Sequence, residues 1–140
     1  MSITTTDIHD RLLNKAIDHA EAIVAKRRWA GEFLREPVAM LASGTKALEQ
    51  HGWRGTIGIF GYVLSGKTTA AEALAAALRE EFPEVPVAVV NDAMVNNRFA
   101  TKTQLKKFAE EGIVIATGED LSRYAGLSVN FLSGAMRESG

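Results

Sequence analysis

The chain has 140 residues, 46% of them hydrophobic, which is enough to bury one ordinary core and is at the small end for a nucleotide-hydrolysing domain. A formal net charge of −1 gives no electrostatic basis for nucleic acid or an anionic membrane as a bulk partner. There is no cysteine, which excludes disulfides, thiolate metal sites and cysteine catalysis, and fits a reducing, cytoplasmic setting.

Residues 1–5 are expected to be loose, and the opening MSITTTDIHD lacks a basic start followed by an apolar run. Nowhere is an apolar segment long enough to span a bilayer. From Asp7 to Trp29, Ile8, Leu12, Ala16, Ala20, Ile23 and Val24 recur at helical spacing, with Leu13 and Ile17 widening the stripe. Asp10, Arg11, Lys15, Asp18 and Glu21 occupy the other face, and the basic run Lys26-Arg27-Arg28 is read as favourable charge at the helix end. His9 and His19 are not spaced as an i, i+4 pair and are read as surface residues. Gly31 breaks the pattern; Pro37 suits the first turn of a second helix running to about Gln50, with Gly52 past its end.

Thr56 to Phe60 is a short β-branched and aromatic run of strand type. It feeds directly into Gly61-Tyr-Val-Leu-Ser-Gly66-Lys67-Thr68, which satisfies G-x-x-x-x-G-K-[ST] at every position. In such a phosphate-binding loop the glycines bring backbone N–H groups up to phosphate oxygens where side chains would block the approach. Lys67 supplies a point charge to the β- and γ-phosphates, and the Thr68 hydroxyl a ligand to Mg²⁺. The expected binding set is Gly61, Leu64, Ser65, Gly66, Lys67, Thr68 and Thr69, around GTP or ATP. Lys67 to Phe82 is dense in Ala, Leu and Glu and reads as the helix whose N-terminus favours the bound anion.

Phe82-Pro83 stops that helix, and Pro86 to Val90 is continuously apolar, the pattern of a buried parallel strand. It ends in Asn91-Asp92. Ligands of open α/β sheets sit outside the carboxyl ends of the strands, so Asp92 is the candidate magnesium-linked carboxylate, and with Lys67 it makes up the catalytic nominations. Residues Ala93 to Ala100 are polar and irregular, with Arg98 read as solvated. A helix from about Thr101 to Glu111, with Leu105, Phe108 and Ala109 inward, leads through Gly112 to a third strand, Ile113 to Ala116. Thr117-Gly118 follows, and Glu119 to Met136 reads as a broken, weakly helical tail.

Three of these elements, GIFGYVLSGKTTAAEAL, VAVVNDAMV and IVIATGEDLSRYAGLSVN, carry a resemblance across roughly residues 55 to 130. In order, they resemble the first half of the metallochaperone GTPases that deliver nickel for urease and hydrogenase maturation, within the class containing the signal-recognition and partitioning P-loop proteins. The resemblance implies that Asp92 is the family's carboxylate and that Thr117-Gly118 is its Thr-Gly. The helical leader is similar to that of the hydrogenase branch. Where that family has Cys and a nearby His after Thr-Gly, this chain has Glu119-Asp120-Leu121-Ser122, whose carboxylates are hard oxygen ligands better suited to Mg²⁺ than to nickel. The family's next switch strand and its guanine-reading N-K-x-D segment would lie beyond the Thr-Gly element, and neither occurs before Gly140.

The resulting expectation is an α/β fold of three layers, P-loop NTPase-like, with a short parallel sheet of about three strands in residues 53–140 and a helical N-terminal extension in residues 1–52. The expected activity is nucleoside triphosphate binding with slow Mg²⁺-dependent hydrolysis, as a maturation or accessory NTPase. A small P-loop kinase and a non-catalytic nucleotide-responsive adaptor are the alternatives. A protein partner or a second copy that completes the site fits the short core; a membrane and nucleic acid do not enter.

Overall fold

The computed structural model describes residues 5–25, 35–60, 67–91, 102–118 and 131–134. In chain order these form α1 (Thr5–Ala25), α2 (Arg35–Ser43), α3 (Thr45–Gln50), β1 (Gly55–Phe60), α4 (Lys67–Glu81), β2 (Val87–Asn91), α5 (Lys102–Glu111), β3 (Ile113–Gly118) and β4 (Phe131–Gly134). The fold is α/β. All strand pairs are parallel, in the order β2-β3-β1-β4.

Side chains alternate across this sheet as the pleat requires. Ile57 and Ile59 of β1, Val87 of β2, and Ile113 and Ile115 of β3 belong to one buried cluster, with Leu74 and Leu78 of α4. Phe60, Val90, Val114 and Ala116 face the other way and pack on Leu105, Phe108 and Ala109 of α5. The chain moves two places across the sheet from β1 to β2 through α4, then one place back to β3 through α5. Right-handed crossovers in opposite directions put their helices on opposite faces, which is where α4 and α5 lie.

The helical leader shares the core of the sheet. Leu12, Ala16 and Ala20 of α1 and Val38 and Leu41 of α2 lie in the same buried cluster as α4. In α4, Ala70, Ala71, Ala73, Leu74, Ala75, Ala77 and Leu78 are all fully buried, so most of its circumference is covered. The alanines leave room for α1 to approach closely on the side away from the sheet. Charged side chains then fasten the two helices. Glu81, at the end of α4, accepts hydrogen bonds from Arg11 (Nη2 to Oε1, 2.5 Å) and Lys15 (Nζ to Oε2, 3.0 Å). Those two donors hold its carboxyl below the usual glutamate range, Arg11 contributing most.

Four sequence expectations are revised. The predicted helix from Pro37 to Gln50 is two helices, because Gly44 opens a joint between them. There the hydroxyls of Ser43 and Thr45 donate to the carbonyl oxygens of Met40 and Ala42, each at 2.6 Å, competing with the helix ladder. The sheet has a fourth strand, since Phe131–Gly134, placed by its sequence in a weakly helical tail, pairs with β1 from Ile57 to Phe60. β3 runs on through Thr117 to Gly118. His9, expected at the surface, is 7% exposed because α3 and the turn after it close over the ring. Lys26-Arg27-Arg28 and Arg98 lie outside the described residues.

The amino ends of the strands are tightly tied. α3 ends with Gly52 in a left-handed conformation (φ 66°), Gly52 N–H donating to Glu49 and Trp53 N–H to Leu48, a closure that ends many helices at glycine. Trp53 itself has φ 61° and its ring lies between His9 and Phe82, with centroids 5.6 and 4.5 Å away. Gly55 N–H donates to Gly112 O at 2.9 Å and Ile113 N–H to Pro86 O at 2.8 Å, joining the starts of β1 and β3 to the chain entering β2.

Candidate functional site

The carboxyl ends of all four strands form one rim. Register aligns Phe60 with Gly118 on one side and with Gly134 on the other, and Asn91 with Thr117. From β1 the chain leaves toward β2, and from its neighbour β3 it leaves toward β4 on the opposite side. Adjacent strands whose exits diverge create a crevice at their carboxyl ends, the place where open α/β sheets bind ligands.

α4 begins at this crevice. Six residues, 61–66, connect the last residue of β1 to Lys67, the first residue of α4. The first turn of a helix has backbone N–H groups without intrahelical acceptors and carries the positive end of the helix dipole. α4 has no acidic side chain in its first turn to compensate them. Helix N-termini of this kind favour a nearby anion.

The two threonines of that turn differ. Thr68 is exposed, whereas Thr69 is buried at 5% exposure. Thr69 therefore offers the rim only its backbone N–H. Gly61, Leu64, Ser65, Gly66 and Asp92 lie outside the described residues, as do Glu119 and Asp120. Asp92 follows Asn91, the exposed last residue of β2.

Sequence reasoning missed a contact that fixes β2 to β3 at this end. The buried Thr117 hydroxyl donates to the carbonyl oxygen of Val90 at 3.3 Å, across two strands one step before β2 ends. Its only sequence signal was a polar residue closing an apolar run. Among the described residues no three of His, Asp and Glu converge as a metal site, and no described helix is long and apolar enough to cross a membrane.

Comparison with family models, curated proteins and solved structures found no match. The rim's own chemistry is thus the basis for a functional reading.

Proposed function

We propose that this chain binds a nucleoside triphosphate, GTP or ATP, with Mg²⁺ at the carboxyl rim of the sheet, and hydrolyses it slowly as a maturation or accessory NTPase. The observation that carries this reading is the start of α4 at Lys67. A G-x-x-x-x-G-K-[ST] sequence joins an inner strand of a parallel sheet to the uncompensated N-terminus of a helix, beside the crevice between β1 and β3. That is the strand-to-helix context the motif needs to cradle phosphates.

In this reading the backbone of residues 61–69, including Gly61, Leu64, Ser65, Gly66 and Thr69, holds the phosphate chain. Lys67 neutralises the β- and γ-phosphates, and Thr68 and Asp92 hold Mg²⁺, with Asp92 also orienting water. The exposed Thr68 hydroxyl and the absence of a carboxylate in the first turn of α4 suit the metal–phosphate group. When bound, Mg²⁺ supplies charge neutralisation on the phosphates. A second reading, binding without turnover, draws support from the packing of α1 along α4: the helix that begins at the phosphate site is itself covered by the leader.

Calorimetric titration of wild type and Lys67→Ala with GTP and ATP, with and without Mg²⁺, tests the proposal, followed by phosphate release for whichever nucleotide binds. Magnesium-dependent binding, abolished by Lys67→Ala with an unchanged circular dichroism spectrum, is the expected result. Binding without phosphate release selects the second reading, and retained binding by the variant refutes both.

A further inference from the structure

α1, α3 and the turn after α3 meet around one imidazole. The His9 ring is 7% exposed and lies 5.6 Å from the Trp53 ring, centroid to centroid. Its Nδ1 is 2.6 Å from Thr45 Oγ1, and that same hydroxyl is 2.6 Å from the carbonyl oxygen of Ala42. A hydroxyl has one proton, and a carbonyl oxygen can only accept. Thr45 therefore donates to Ala42 and accepts from His9, which puts the proton of the neutral ring on Nδ1.

Nε2 is left as a bare acceptor, buried and without a hydrogen-bond partner among the described residues. The Glu49 carboxylate stands near it, with Oε2 at 3.9 Å. Two acceptors facing each other cannot bond. A proton added at Nε2 would convert the contact to an ion pair, and also place a cation among Trp53, Thr45 and the apolar side of α1. Two opposed effects thus act at one atom. Burial disfavours the imidazolium, and Glu49 favours it.

We propose that His9 is a proton-sensitive latch that seats α1 on α3 and the Trp53 turn, closed while the ring is neutral and loosened by acid, with Glu49 limiting the loosening. The charged groups around it sort by sign. Glu49 of α3 and Asp10 of α1 favour the protonated ring and Lys46 of α3 opposes it, while Trp53 and Phe82, at the turn and the end of α4, bring no charge. Burial is the largest of these effects and pushes the imidazole below its ordinary value near 6.5. A histidine held neutral by the fold contributes stability that is complete above the unfolded pKa. That stability is lost as pH falls from there toward the folded pKa. The residues of the latch lie at the amino ends of the strands, opposite the rim, and its test does not depend on nucleotide.

Urea unfolding of the full chain at pH 7.5 and 5.5 is the test, comparing wild type with His9→Gln and Glu49→Gln. The wild-type midpoint is expected to fall on acidification, that of His9→Gln to fall less, and that of Glu49→Gln to fall more. Equal falls in wild type and His9→Gln overturn the latch, as does a smaller fall in Glu49→Gln. If His9→Gln does not fold, NMR titration of wild type decides. The folded His9 resonance must titrate below the same histidine in urea, and a midpoint at or above that value overturns the proposal.

Discussion

Gly112 links the end of α5 to β3, and replacing it with alanine tests how the amino end of the sheet is held. An alanine Cβ would stand 2.3 Å from the carbonyl oxygen of Pro86 and 2.8 Å from its Cγ. The first clash is with backbone, which no rotamer change relieves. That carbonyl oxygen also accepts the Ile113 N–H at 2.8 Å, so moving it away weakens the link between β3 and the start of β2. Overpacking a tight site costs about 1–3 kcal/mol. A weakened backbone hydrogen bond adds about 0.5–1.5 kcal/mol, giving a loss of roughly 1.5–4.5 kcal/mol. Against a total stability on the order of 5–15 kcal/mol this is a large fraction. Gly52→Ala is the control: at φ 66° nothing lies within 4 Å of the new Cβ, so only the left-handed backbone is penalised. The expected loss there is about 1 kcal/mol. Urea denaturation followed by circular dichroism measures both. A Gly112→Ala loss no greater than that of Gly52→Ala would refute the steric argument.

Thr68→Ala should leave the fold intact, because the side chain is exposed, and weaken magnesium-dependent nucleotide binding by about tenfold or more, the worth of one polar contact to a charged group. A magnesium titration superimposable on wild type would remove Thr68 from the site. Asp92→Asn should likewise lower magnesium-dependent binding or turnover and spare the circular dichroism spectrum; unaltered magnesium dependence would argue against its nomination. Glu81→Gln should cost about 1 kcal/mol at pH 7, since the carboxylate is largely buried but Arg11 and Lys15 are partly solvated. Because the folded carboxyl is held below its unfolded value, that contribution is present above the unfolded pKa and is lost as pH falls through the folded one. The two proteins should therefore converge in stability as pH falls through the folded carboxyl's titration, and a constant difference across the range would contradict the ion-pair account. Removal of residues 1–34, which deletes α1, should yield a chain that binds hydrophobic dyes and aggregates, because it uncovers the alanine and leucine surface of α4; a soluble, cooperatively unfolding product would show that α1 is dispensable.

What could be read from the sequence was what local periodicity encodes. The apolar runs of β1, β2 and β3 and the helical stripes of α1 and α5 appear at their expected places, because a buried strand or an amphipathic helix announces itself within a few residues. β4 did not: FLSG is too short for a pattern, and it becomes a strand only by pairing with Ile57 to Phe60, far earlier in the chain. The joint at Gly44 depends on two hydroxyls choosing backbone carbonyls over solvent, a local competition that helix propensity does not resolve. The burial of His9 depends on Thr45, 36 residues away, and no spacing within α1 signals it. At the start of α4, which of two adjacent threonines faces outward follows from the rotation of the helix against the sheet, which the motif does not encode.

The two ends of the sheet are built for different tasks. At the amino ends, Gly112 against Pro86, Trp53 between His9 and Phe82, and Glu81 beneath Arg11 and Lys15 close the structure with backbone bonds, rings and ion pairs. At the carboxyl ends, the strand order reverses between β1 and β3, and the first turn of α4 carries no acidic side chain. α4 runs between the two ends, and α1 and α2 bury with it in one cluster. An anion that draws on the first turn of α4 therefore acts on a helix whose far end is fastened to α1. Any adjustment α4 makes to its ligand must be absorbed at the rim or passed to the leader, since a close-packed interior does not deform continuously. The leader, although outside the G-x-x-x-x-G-K-[ST] sequence, is thereby packed into the same core as the helix that this sequence opens.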